Sequence, residues 1–555
     1  MLLAVLAPTS SAQQPAASPD TILINGKVLS ADARFATYEA LAVRGGRIAA
    51  LGTTRDIRAV ASLGTRIIDL GGRTVIPGLI DSHMHAIRAA LSFATEVHWI
   101  GAPTLKDALG RVSEASKRMP AGAWLIVAGG WTERQFAEKR RPTQAELVAA
   151  APENPVYVQL GYQWALMTPK ALTLLQIARD EDVSGGARLE RDANGAWTGA
   201  VNGPQPAIVG LFDRLPRPTY EQKVEGTKKF FRELNRLALT GVVDPGGNNI
   251  TPPEYEALFD VWRHGDLTVR VAFSMSSQGN GNEFDEITQP ILLLPMGFGD
   301  DMLRFNGVGE RITGGMYNND KPTAVDKEAF EKIALWTARR GLTLTVHWGN
   351  DSSVSQLLDV FEQVNAQVPI APLRWSIAHL NDASPATLSR MRALGVGWAM
   401  QDAMYFNGDA AIRQRGAAAR RMPPLETARK LGVVIGAGTD AHRVASYNPF
   451  TCLQWILDAK TVDGVVMRAP DEIPSRQNAL RMYTSGSAWL AHADDRRGTL
   501  EVGKLADLAV LSKDYMTVPV DQIGTIESLL TIVGGRVVYA AEPFAGEGNR
   551  RPVKN

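Results

Sequence analysis

Pro77-Gly78-Leu79-Ile80-Asp81-Ser82-His83-Met84-His85 is the stretch on which the reading of this chain turns. A short apolar strand runs straight into two histidines separated by one residue. Alternate residues of an extended strand point to the same face, so His83 and His85 project together. Two imidazoles at that spacing can chelate one divalent ion, and neutral imidazole suits zinc. A lone His-x-His is weak evidence. Here it closes an apolar strand in a chain of 555 residues with only eight histidines.

Three more polar residues share that context. His347 ends the apolar run 342–346, His379 ends 374–378, and Asp440 follows 433–439. Each stands where a strand stops, at its carboxyl end, which is the face where barrel active sites assemble from several strands. Singly, each could be a satisfied buried histidine or a helix-capping aspartate. Together, four histidines and one aspartate point to one shared divalent cation. Nitrogen and oxygen donors without sulfur suit Zn²⁺, with Mn²⁺, Co²⁺ and Fe²⁺ as alternatives.

Outward from these residues, one unit recurs: a helix-period segment, a glycine, then a short apolar strand. It appears at 219–244, 326–347, 384–400 and 425–435. Glycine at a helix end supplies the left-handed turn that stops it. Alternating helices and apolar strands imply α/β architecture with a parallel sheet, either doubly wound or closed into a TIM-like (β/α)8 barrel. No glycine-rich dinucleotide fingerprint follows any strand, which favours the barrel. The barrel is expected over 77–496, with an αβ insertion at about 122–205 containing strands at 125–128 and 156–160.

The two ends of the chain differ in texture. Residues 21–28 and 41–48 read as hairpins with Asn-Gly and Gly-Gly turns, and 507–511 with 531–538 read alike. We expect a small β-sandwich domain composed of 20–76 and 497–545, and a disordered tail over 546–555. Residues 1–19 read as a truncated export signal, an apolar run followed by Pro8-Thr9-Ser10-Ser11-Ala12. That reading places the protein in the periplasm; the cytoplasm is the alternative, since the single Cys452 excludes an intrachain disulfide.

Composition excludes several functions. The chain is 45% apolar and 21% charged, and 59 basic against 58 acidic residues leave a net charge of +1. No basic patch marks a nucleic-acid partner, and no stretch has the length of a membrane helix, about 20 apolar residues. A small-molecule substrate is expected; a homo-oligomer is left open.

The order His-x-His, His, His, Asp, flanked by β segments from both termini, resembles the amidohydrolase superfamily. The closer resemblance is to amidohydrolase family 3, the branch that includes N-substituted formamide deformylases. It rests on 77–85, on Trp124 with Gly129-Gly130-Trp131, on Gly438-Thr439-Asp440 with Asn448-Pro449-Phe450, and on 503–508. The resemblance implies that His83 and His85 bind a more buried metal and His347 and His379 a more exposed one. Asp440 would ligate metal and accept a proton from the attacking water. Where the family often carries a carboxylated lysine to bridge the metals, this chain has no lysine, and Glu310 is the substitute. Gly161-Tyr162-Gln163 stands where relatives often have Asp-Gly-His, and Ala378 where they have an acid. Trp131, Gln163, Trp348, Asn350, Asp351, Gln401, Tyr405 and His442 are the candidate pocket residues. The implied activity is metal-dependent hydrolysis of a non-peptide C–N bond. A mononuclear deaminase, an esterase or lactonase, and a non-catalytic binding protein on the same scaffold are the rivals.

Overall fold

The computed structural model describes residues 18–279 and 281–548. The leader reading therefore falls almost wholly outside the described residues, as does the tail beyond 548. Among the described residues, no helix is long and apolar enough to cross a membrane.

Eight parallel strands form the centre: β1 (Leu79–Asp81), β2 (Leu239–Asp244), β3 (Arg270–Met275), β4 (Leu303–Val308), β5 (Thr345–Trp348), β6 (Ser376–His379), β7 (Gly397–Gln401) and β8 (Ile435–Gly438). The first four pair side by side in chain order, and so do the last four. Between the two runs Val308 bridges Leu344 in parallel, its N–H donating to Thr343 O at 2.9 Å. At the other junction Ser82 N–H donates to Ala437 O at 3.0 Å, and Asp440 N–H to His83 O at 2.8 Å. This is the α/β TIM-barrel arrangement. Its strands are buried along nearly their whole length, because helices cover one face and barrel side chains the other. Gly307 permits the β4–β5 approach: its φ is +95, and a Cβ there would overlap the Thr343 carbonyl.

The helices begin and end where the sequence chemistry places them. Thr219 and Thr323 cap Tyr220–Arg236 and Ala324–Arg339 through reciprocal capping boxes. Ser384 caps Pro385–Leu394, and Gly395 ends it in the left-handed region at φ 68.

The terminal β segments form two sheets. One has four strands, Ala40–Arg44 between Arg47–Gly52 and Thr21–Ile24, with Arg66–Asp69 at the far edge. The other has six and mixes both termini: Thr74–Pro77 lies between Lys27–Leu29 and Leu508–Leu511. The hairpin expected at 21–28 is not one. Thr21–Ile24 pairs with Arg66–Asp69, whereas Lys27–Leu29 pairs with Thr74–Pro77. Asn25, at φ 56, turns the chain from one sheet into the other. The Asn-Gly signal marks a left-handed turn but not what the flanking strands pair with. Of the tail expected over 546–555, only 546–548 fall within the described residues, where Glu547 is ion-paired with Arg66 and closes the short helical turn Ala545–Glu547.

The insertion carries five strands rather than two. Leu125–Val127 and Val156–Leu160 pair in parallel, and Trp164–Met167, Trp197–Asn202 and Arg188–Arg191 extend the sheet.

A buried bidentate pair fastens the barrel to the terminal β layer. Arg270, at the start of β3, donates from Nε and Nη2 to Asp507 at 2.7 and 2.9 Å, and Asp507 also accepts Gly534 N–H. Replacing Asp507 with Ala strands a buried guanidinium, which costs about 3–5 kcal/mol. The expected result is a lower urea midpoint; an unchanged midpoint would show that the pair contributes nothing to holding the two layers together.

Candidate metal centre

At the carboxyl ends of the barrel strands, six side chains converge. His83 and His85 lie just beyond β1, Glu310 beyond β4, His347 in β5, His379 at the end of β6 and Asp440 beyond β8. Glu310 Oε2 lies 3.3 Å from His83 Nε2, 3.4 Å from His347 Nδ1 and 3.5 Å from His379 Nε2, while Oε1 lies 3.3 Å from His85 Nε2. Asp440 Oδ1 lies 3.2 Å from His85 Nε2 and 3.6 Å from His83 Nε2, and Oδ2 4.0 Å from His379 Nδ1. Three overlapping groups of donors could each hold a cation: His83–His85–Glu310, His83–His379–Asp440 and Glu310–His347–His379.

Neighbouring groups orient the imidazoles. His85 Nδ1–H donates to Gly246 O at 2.6 Å, which directs Nε2 at the two carboxylates and, in the neutral imidazole, leaves Nε2 as the nitrogen free to ligate. Asp81 accepts His83 N–H at 3.0 Å, Thr439 N–H at 3.2 Å and the Thr439 hydroxyl at 2.8 Å, tying the ends of β1 and β8 together. His379 and Asp440 both adopt left-handed backbone, φ 69 and 55, a strain that non-glycine residues sustain at functional sites. Tyr317, from the segment after β4, stacks on His347 with centroids 4.5 Å apart.

The donor set fits a divalent cation. His83 Nδ1 and Nε2 and His379 Nε2 are buried without a hydrogen-bond partner, and such atoms need an explanation. Electrostatics agree. Burial alone would lower the His83 and His85 imidazoles, yet the Asp440 and Glu310 carboxylates push them up, to about 9 and about 10. Burial alone would raise the two carboxyls, yet the surrounding imidazoles hold both well below the usual carboxylate range. Burial, with His347 beside it, lowers His379 to about 4.

The candidate pocket residues distribute differently from expectation. Trp131 is buried in a cluster with Trp99 and Phe136, its Nε1–H donating to Gln159 O at 2.8 Å. Trp348 is fully buried and donates to the Ser353 hydroxyl. His442 Nε2 lies 3.0 Å from Glu96, which also pairs with Arg443, in a buried group beside the insertion. These three are buried and hydrogen-bonded or ion-paired within the protein; an aromatic or imidazole near a motif carries no mark of which way it faces. Asp351 accepts Ser384 N–H, and Asn350 is exposed at the N-cap of Asp351–Gln367. Gln401 is buried at the end of β7 and accepts Ala403 N–H, and Gln163 is exposed in a turn of the insertion. Tyr405 lines a cavity of about 450 Å³ with Arg111, Glu233, Tyr447 and Asn448, which none of the six converging side chains borders. Sequence reasoning missed Asp81 and Tyr317. Asp81 lies inside the motif, where its position before the histidines was the available signal; nothing around Tyr317 points to it.

In the metal-free protein, protonated His83 and His85 pair with the carboxylates. Because their pKa values are raised from 6.5, that stabilisation is complete below the lower value and is lost as pH climbs through about 9 to 10. A bound cation needs neutral imidazoles, so its affinity rises over the same interval. The gap in melting temperature between metal-loaded and metal-stripped protein should therefore widen from about pH 6 to about pH 9. A constant gap would mean that these imidazoles do not bind the ion.

Comparison with known proteins places the chain. The amidohydrolase family model matches residues 66–539. An N-substituted formamide deformylase of Arthrobacter pascens is 25% identical over 546 residues, covering 94% of this chain and 98% of that protein. The crystal structure of an uncharacterized metal-dependent hydrolase from Pyrococcus horikoshii superimposes with a TM-score of 0.65 at 20% identity, over 90% of this chain and 99% of that one. An adenosine deaminase from Xanthomonas campestris with bound zinc gives a TM-score of 0.53 at 15% identity, over 96% and 95% of the two chains. The two solved structures share the fold, and the family match spans most of the sequence: the chain belongs to the amidohydrolase family.

Proposed function

We propose that this amidohydrolase cleaves the C–N bond of an amide, formamide or carbamate in a small molecule, using two divalent cations. The observation that carries the reading is Glu310, whose two oxygens lie within 3.5 Å of all four imidazoles. His83, His85 and Asp440 would hold one ion, His347 and His379 the other, and Glu310 would join both. Nitrogen and oxygen donors without sulfur favour Zn²⁺. The similarity to a formamide deformylase supports the choice of bond. We also propose that the eight strands close as one barrel, braced by a β sandwich from both termini; the hydrogen bonds at the two junctions and the Arg270–Asp507 pair support this.

A cation held by these residues would lower the pKa of water from about 15.7 to about 7 and polarise a carbonyl oxygen. Asp440 supplies the proton chemistry. It is a carboxylate at neutral pH, 3.2 Å from His85 Nε2, and it takes the proton of the attacking water and returns it to the departing nitrogen. Asp81 keeps His83 and Thr439 in register, and Gly246 O keeps His85 in the ligating tautomer.

Metal analysis should return two equivalents per chain, falling toward one in Glu310→Gln. Asp440→Asn should stay folded and lose about 10²- to 10⁴-fold in kcat. A screen of amides, formamides, carbamates, lactams and esters names the bond. Full activity in Asp440→Asn, or turnover confined to esters, would remove the reading.

A further inference from the structure

Two arginines beside the cluster lack the counter-charge that a guanidinium in such a place needs. Arg88 lies on the helix Ala86–Phe93, which starts directly after His85. It is half-buried, makes no hydrogen bond or ion pair among the described residues, and its Nε is sealed from solvent without a partner. It is close enough to His85 to oppose that imidazole's protonation. Asp244 also feels Arg88, but its oxygens accept Ile87 N–H and Gly246 N–H. Arg311 follows Glu310. Its Nη1 donates to Asn248 Oδ1 at 2.5 Å, its Nε is buried without a partner, and no carboxylate lies within 4.0 Å among the described residues. Its guanidinium stands 5.7 Å from the centroid of the Tyr317 ring, which stacks on His347.

Both arginines flank the same turn. Gly246 O fixes His85, Arg88 Nη1 lies 3.8 Å from where a Cβ on Gly247 would stand, and Asn248 receives Arg311. Elsewhere in the fold Arg270 meets Asp507 and Arg443 meets Glu96, while the buried Arg468 and Arg497 meet no carboxylate within 4.0 Å among the described residues; Arg88 and Arg311 differ from those two in standing beside the metal centre. A guanidinium left partly desolvated and unpaired costs free energy that a structural role does not recover. An arriving anion recovers it, because the guanidinium fork matches a carboxylate.

We propose that Arg88 and Arg311 form an anion subsite beside the metal centre, so that the substrate is an amide carrying a carboxylate. This rests on the C–N hydrolase reading above. Hydrolysis adds water across the C–N bond to give an acid and an amine, with the carboxylate retained on one product. The six ligating side chains would hold the cations at the scissile carbonyl, and the two guanidinium groups hold the remote carboxylate; Tyr317 forms the wall between His347 and Arg311.

The test uses metal-loaded protein and three matched pairs: N-formylglycine, N-formyl-β-alanine and N-formyl-4-aminobutyrate, each against its primary carboxamide. The three chain lengths cover the unknown span from carbonyl to carboxylate. For at least one pair, kcat/KM should favour the acid by about tenfold or more, the size of a charge-assisted contact. That ratio should fall to about threefold or less in Arg311→Met and in Arg88→Met. It should also shrink with added salt in the unmodified protein, a measurement that needs no variant to fold. Neutral amides hydrolysed with no advantage for any acid would overturn the subsite and leave the hydrolase reading intact. The subsite falls equally if neither series reacts while other amides of the wider screen do. Failure of every C–N substrate would sink both.

Discussion

Two carboxylates, the buried Glu310 and the half-buried Asp440, stand among four imidazoles at one end of the barrel. Taking two negative charges out of water costs several kcal/mol each unless positive charge meets them. Protons on His83 and His85 can do this, and so can divalent cations bound by neutral imidazoles. The second solution also gives a partner to one orphaned nitrogen of His83 and to Nε2 of His379. The rest of the molecule serves to keep these six groups together against that cost.

The barrel supplies the convergence. Parallel strands deliver their carboxyl ends to one rim, and the β1–β8 and β4–β5 junctions bring His83 to Asp440 and Glu310 to His347 through backbone hydrogen bonds of 2.8 and 3.1 Å. Asp81 and the Gly246 carbonyl then set side-chain orientation, where a shift of one ångström would separate ligands from a common ion. Left-handed backbone at His379 and Asp440 shows that the surrounding packing over-determines these positions.

Away from the rim, two buried charged groups tie layers together. Arg270 with Asp507, and Glu96 with His442 and Arg443, are complete within the protein and join the barrel to its terminal layer and its insertion. Arg88 and Arg311 are incomplete and stand next to the metal centre.

The alternation of capped helices with apolar strands was legible as a parallel α/β sheet, because capping and burial are local consequences of residue type. The five ligand-type residues at strand ends were legible for the same reason: a polar group that terminates an apolar run advertises its position. Glu310 was reached through the family resemblance, and the structure places it in reach of all four histidines. Pairing partners, side-chain directions and electrostatic completeness were not legible. Asn25-Gly26 announces a turn, but only the tertiary structure shows that the chain changes sheets there. Trp131, Trp348 and His442 stood out by residue type, but their buried partners were not legible, and Arg88 and Arg311 gave no signal at all. Sequence determines which groups can do chemistry and roughly where strands end. Which of those groups face one another, and which remain unsatisfied, depends on contacts between residues hundreds of positions apart, and only the folded chain decides it.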